Sequence, residues 1–284
     1  MKKTLLSAAV AAALAVPAVS AFAEDAPPAS PLSFNVGVVS DYIFRGISQT
    51  AHAPALQGGI DYAFSSGFYV GTWASNVKWV EGWQGSGSTE VDVYGGYRGA
   101  FANPDFTYDI GTIYYTYPSH GKTNLGLANP TTQELYASIG YKWVSAKYSY
   151  VNSSHFVGWY GGSNLDKDTR GSDYLELNAN YDMGDGWTLI GHVGHQKVKD
   201  SVTTTLAHDA SYTDWKLGVT KDVGFGVVGL AYSDTNAKGS CGSTLPTTGA
   251  SSYCFPSNYL GGTNWSNYKD VAKGVWAASF LKTF

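Results

Sequence analysis

From residue 33 to its last residue the chain consists of segments in which apolar and polar side chains alternate at every second position. A period of two places successive side chains on opposite faces of an extended strand. Residues 34–49, FNVGVVSDYIFRGISQ, open the series. Phe34, Val36, Val38, Tyr42 and Phe44 share one parity, and Asn35, Gly37, Asp41 and Arg45 share the other. The stretch reads as a single strand with one apolar face and one wet face. A soluble sandwich carries the same pattern, so the spacing of the segments has to decide.

A short connection around His52 and Pro54 leads to a second strand with Leu56, Ile60, Tyr62 and Phe64 opposite Gln57, Gly59 and Asp61. A third runs from Phe68 to about Trp79, with Tyr69, Trp73, Val77 and Trp79 opposite Thr72, Asn76 and Lys78. The fourth sets Val91, Val93, Tyr97 and Phe101 against Glu90, Asp92, Tyr94 and Arg98. The same reading continues to Trp276, Phe280 and Phe284, giving about twelve strands of roughly ten residues, the length a tilted strand needs to cross a bilayer. Connections alternate between tight turns, such as Ser65-Ser66-Gly67 and Asn103-Pro104-Asp105, and long polar loops, such as 152–172 and 235–267. That rhythm belongs to barrels with short periplasmic turns and long extracellular loops. The predicted fold is therefore all-β, a transmembrane antiparallel up-and-down barrel. Trp73, Trp79, Trp143, Trp187 and Trp215 fall near strand ends, where aromatic girdles are expected.

The start of the chain supports export. Lys2 and Lys3 precede an apolar run over 5–19 and the small-x-small site Ala21-Phe22-Ala23, the pattern of a cleaved signal peptide. Residues 1–23 are assigned to that peptide, 24–32 to a flexible leader and 33–284 to the barrel. Charged residues make up 14% and the formal net charge is −4. With no basic run, nucleic acid is not an expected partner.

At SDYIFRGISQT (40–50), PALQGGIDY (54–62) and SGFYVGTWASNV (66–77) the sequence resembles the TorF family of porins from Gram-negative bacteria. The resemblance implies an outer-membrane barrel with a channel role. It brings neither a substrate nor catalytic residues.

The inward parity supplies the candidate pore-lining residues Asp41, Arg45, Asp61, Lys78, Glu90, Asp92, Arg98, Asp109, Glu134, Lys142, Lys147, Glu176, Asp214, Lys216 and Lys273. They either line an aqueous path and set its selectivity or pair across a narrow lumen and fill it. Asp41 and Arg45 share a face and read as a constriction pair or a structural tie. Cys241 and Cys254, in the last outer loop of an exported chain, are a candidate disulfide. His192 and His195 sit on opposite faces of a strand, so no metal site follows from them. An outer-membrane lipid hydrolase needs Ser and His together on the lipid face. Ser153 and His155 lie instead at a loop edge, and no enzyme is expected. The reading is a porin-like channel for small hydrophilic solutes, the alternative a filled structural or adhesion barrel acting through its outer loops. No cofactor is implied. Outer-membrane lipid, small solutes and the barrel-assembly machinery are the expected partners.

Overall fold

The computed structural model describes residues 30–84, 86–118, 120, 129–159, 167–200, 210–237, 241, 253–259 and 265–284. The expected signal peptide, most of the leader and His208 lie outside the described residues.

The chain enters at β1 (Leu32–Val39), followed by two short strands, β2 (Ile43–Phe44) and β3 (Ile47–Ser48). Next come β4 (Ala55–Ala63), β5 (Phe68–Asn76), the short helix α1 (Trp79–Gln84), β6 (Thr89–Ala100) and β7 (Phe106–Thr116). These are followed by β8 (Thr132–Tyr141), β9 (Val144–Val151), β10 (Asp173–Gly184), β11 (Trp187–Lys197), β12 (Tyr212–Asp222) and β13 (Val227–Thr235). The chain ends with β14 (Cys254–Tyr259), β15 (Trp265–Asp270) and β16 (Val275–Thr283).

Twelve of these strands form one closed antiparallel barrel, each paired with its neighbour in sequence apart from the small hairpins β2–β3 and β14–β15. Closure is made by β1 against β16, with Val36 opposite Lys282 and Val38 opposite Phe280. A closed sheet leaves no unpaired edge, so every wall amide and carbonyl can be satisfied where no water reaches. The tight turns at 64–67, 101–105, 142–143, 185–186 and 223–226 lie at one rim. The long connections at 40–54, 77–88, 117–131, 152–172, 198–211 and 236–274 lie at the other. The connection carrying His52 and Pro54 is thus one of the long ones, contrary to its reading as short.

The outer face is a belt of solvent-facing Leu, Ile and Val that includes Leu56, Val93, Ile110, Ile139, Leu175, Leu217 and Leu230. Leu217 is 58% exposed and Trp276 63%. In water such a face would be a severe liability; hydrocarbon is the solvent it suits. Aromatic pairs edge the tight-turn rim: Trp143 with Tyr181 at 5.7 Å, Phe106 with Tyr141 at 4.6 Å and Phe101 with Tyr108 at 5.1 Å between ring centroids.

Three sequence expectations are corrected here. The first strand ends at Val39 rather than running to Gln49. Residues 40–54 instead fold back inside the barrel, and Tyr42, expected to face lipid, is 4% exposed. On β5 the parity is reversed. Phe68 and Val70 face outward, while Tyr69 is buried and Trp73 packs edge-on against Tyr42 at 5.5 Å. Trp79 is not in a girdle either. It opens α1 and packs edge-on against Tyr117 at 5.0 Å within the cover of long connections. Aromatic residues occur on both faces of this barrel, so an aromatic parity does not by itself identify the lipid side.

Candidate functional site: the lumen and its inward hairpin

The hairpin β2–β3 hangs from the long-loop rim into the lumen and presents Arg45 at its tip. Arg45 and Gly46 have φ of 47° and 76°, a left-handed turn in which Gly46 meets no steric penalty. A Cβ at Gly46 would stand 2.5 Å from Asp214 Cβ on β12, so glycine also permits the close approach to the wall.

Arg45 donates from Nη1 to Glu134 Oε1 (2.9 Å) and from Nη2 to Oε2 (2.7 Å), a bidentate pair across to β8. Nη1 also donates to Gln196 Oε1 on β11 at 2.7 Å. The guanidinium lies 4.2 Å from the Tyr174 ring centre and 4.7 Å from that of Phe44. Tyr115 donates to Glu134 Oε2 at 3.3 Å. Glu134 is 1% exposed. A pair so far from water gives little net stability, but removing one partner strands the other charge at a cost of about 3–5 kcal/mol. The pair therefore acts as a lock on the hairpin's position.

Asp41 organises the hairpin's base. Its Oδ1 accepts from Ser48 Oγ (2.6 Å) and Thr50 Oγ1 (3.1 Å), and its Oδ2 lies 2.7 Å from His52 Nδ1. Tyr42 donates to Glu90 Oε1 on β6 at 2.7 Å. Asp41 and Arg45, expected to tie neighbouring strands or face each other, thus reach different partners: one holds the hairpin together and the other holds it to the wall.

Around the wall, tyrosines on the wet parity carry carboxylates. Tyr69 donates to Asp109 (2.7 Å), Tyr94 to Asp61 (2.6 Å) and Tyr174 to Asp214 (2.9 Å). Their rings lie flat because a glycine stands beneath: a Cβ on Gly194 would overlap Tyr174, as one on Gly71 would overlap Tyr94. His192 continues the network, with Nε2 3.0 Å from Asp214 Oδ2 and Nδ1 2.7 Å from Asn178 Oδ1.

The packing leaves an internal cavity of about 30 Å³, bordered by Arg45, Trp73, Asp92, Asp109, Lys147 and Glu176. That is room for about two waters. Asp92 Oδ1 and Arg45 Nε are buried there with no protein partner among the described residues, and water is the group such a space would hold.

The candidate lining residues thus divide. Asp41, Arg45, Glu90, Asp92, Asp109, Glu134 and Asp214 are buried in the packed region. Asp61, Arg98, Lys147, Glu176 and Lys216 are half-buried on the inner wall. There Arg98 lies 4.8 Å from the Tyr69 ring centre and Lys147 4.6 Å from that of Tyr136. Lys78, Lys142 and Lys273 are not on the wall. Lys78 follows β5 and pairs with Glu81 at 3.3 Å. Lys142 sits in the turn at 142–143, with φ of 53° and Asp105 at 3.8 Å. Lys273 is exposed in the 236–274 connection. In each case the period-two count was carried past the end of a strand. Sequence reasoning passed over His52, Gln196, Tyr42 and Tyr174. Tyr174 was detectable as an aromatic residue on an otherwise polar parity, whereas Tyr42 keeps the apolar parity of residues 34–44 and carried no such signal.

Cys241 and Cys254 form a disulfide in the last long connection. Ser153 Oγ donates to the His155 backbone carbonyl at 3.0 Å, not to its ring.

No curated protein matches the chain in sequence. Among solved structures, it is similar to the KdgM porin in complex with disordered oligogalacturonate, at 8% identity and a TM-score of 0.47, over 89% of this chain and 98% of that one. Against the NanC porin the identity is 10% and the TM-score 0.49, over 89% and 97% of the two chains. Against LpxR from Salmonella typhimurium they are 9% and 0.39, over 89% and 99%. A family model matches residues 23–256, and the chain belongs to that family, Gcw_chp, described as bacterial protein of unknown function.

Proposed function

We propose that the protein is an outer-membrane channel for small hydrophilic solutes, narrowed from the outside by the hairpin within residues 40–54. The observation that carries this reading is the opposition of the two barrel faces. Outside are exposed Leu, Ile and Val; inside, Asp61, Arg98, Lys147, Glu176 and Lys216 remain half-buried beneath the hairpin. A charged, wettable wall inside an apolar sleeve is what passive conduction of polar solutes requires. The leader pattern at residues 1–23 and the resemblance to TorF porins agree with it. On this reading the solutes are small, because the outer half admits little more than water as it stands.

A second reading is favoured by the cavity of about 30 Å³: a filled barrel that acts through its outer connections. Planar-bilayer recording of the purified protein with a panel of ions and sugars separates them. Discrete small steps are expected for the channel. A barrel that inserts but never conducts, and binds a cell-surface partner instead, would establish the second reading.

A further inference from the structure

We propose that His52 is a proton-operated latch that fastens the inward hairpin to the last outer connection. Its effect on conduction rests on the channel reading above; its geometry does not.

His52 Nδ1 lies 2.7 Å from Asp41 Oδ2, and Nε2 lies 2.7 Å from the Asp270 backbone carbonyl oxygen. Both partners are acceptors only: a carboxylate and a carbonyl. A neutral imidazole has one N–H, so either tautomer leaves a ring lone pair facing an oxygen. Imidazolium donates to both at once. The bridge from the hairpin to the 236–274 connection is therefore complete only when His52 is protonated. Ser48 and Thr50 both occupy Asp41 Oδ1, which leaves Oδ2 for the histidine.

The surrounding charges act in opposite senses. The hydrogen bond to Asp41 is the largest influence and favours the charged ring; partial burial and the charge of Lys273 oppose it. The balance raises the His52 pKa above its ordinary value. The Asp270 carboxylate is engaged through Oδ1 with the Ala272 amide. The other ties across this junction do not titrate. Ser48 N donates to the Val271 carbonyl at 2.9 Å, and Ile47 is buried with Tyr253, Val271 and Ala272. Against them stands backbone strain: Arg45, Ala51 and His52 hold φ of 47°, 53° and 63°, a region that costs residues with a Cβ free energy. Loss of one charge-assisted bond then shifts the balance of a segment already held under strain.

The sign follows from linkage. A histidine whose folded pKa is raised stabilises the docked state fully below its ordinary pKa and loses that contribution as pH rises through the raised value. The hairpin is held tightest in acid and loosens toward alkaline pH.

The test is hydrogen exchange of the 40–54 amides in the full chain held in a bilayer, corrected for intrinsic pH dependence. Between about pH 5 and about pH 9, protection is expected to fall about tenfold, the effect of one charge-assisted bond. His52→Gln is expected to be weakly protected at both pH values, and His52→Lys, which keeps a cationic donor, strongly protected at both. Equal protection of the wild type at both pH values would overturn the latch, as would a His52→Gln variant that still responds to pH. Recording current in parallel separates the two readings. Exchange that follows pH with no current at any pH keeps the latch and removes the channel.

Discussion

The outer and inner halves of the lumen are built on the same strands by the same alternation, yet they end in opposite states. In the outer half, wall carboxylates meet donors from the hairpin and leave water: Glu134 takes Arg45, and Glu90 takes Tyr42. In the inner half none of the described segments enters, and Asp61, Lys147 and Lys216 stay half-buried. The barrel wall therefore does not decide whether the lumen is full. One 15-residue connection, 40–54, does so, because it places the Arg45 cation and the Tyr42 hydroxyl where the wall offers Glu134 and Glu90. A barrel whose occlusion depends on one tethered segment differs physically from one filled by its own wall side chains, since the segment can leave without unpairing a strand.

Several substitutions probe that contrast, the largest effect coming first. Arg45→Met should strand the Glu134 charge and weaken hairpin docking by about 3–5 kcal/mol. Proteolytic susceptibility of residues 40–54 reads the loss, and adding Glu134→Gln should recover most of it; an Arg45→Met hairpin as protected as wild type would show that the ion pair does not hold it. The frame shared by both halves is tested by Leu217→Lys. Placed mid-strand on the lipid-facing side, the charge should destabilise the barrel by about 2–4 kcal/mol in vesicles. Lys216, one residue away on the opposite face, points into the lumen instead, where the carboxylates of Glu176 and Asp214 favour its charge. Unfolding by urea after reconstitution measures this. Gly46→Ala meets both a φ of 76° and Asp214 Cβ, and should weaken docking by about 1–3 kcal/mol. Lys78→Met removes only an exposed pair with Glu81 and should change stability by about 0.2–1 kcal/mol or less; a larger change would mean that the outer cover carries more of the fold than its exposure suggests.

Much of the wall could be read from the sequence because lipid imposes a strict rule on one parity. Leu135, Ile139, Leu175, Leu177 and Leu217 needed no knowledge of their neighbours. Closure, antiparallel order and the long-loop rim, apart from the 40–54 connection read as short, followed from segment length and spacing. The hairpin did not, because Tyr42 and Phe44 keep the parity of β1 for another reason: they pack on Trp73 and Tyr115 inside. Two signals were available. A strand over 34–49 would have been longer than the 9–11 residues a bilayer requires, and the Arg45-Gly46 pair marked the turn. The reversed parity of β5 had no local signal, since Tyr69 and Trp73 look like girdle residues until Gly96 and Tyr42 are seen beside them. The pairing of Arg45 with Glu134 and Gln196 spans 89 and 151 residues, and alternation within a strand says nothing about such distances.

Single-channel recording of the wild type beside a variant in which residues 42–50 are replaced by a short Gly-Ser linker tests the central claim most directly. The barrel without its hairpin is expected to conduct several-fold more than the wild type while keeping the heat-modifiable migration of a folded barrel. Equal conductance in the two, with the barrel intact, would contradict the claim that this one segment narrows the lumen.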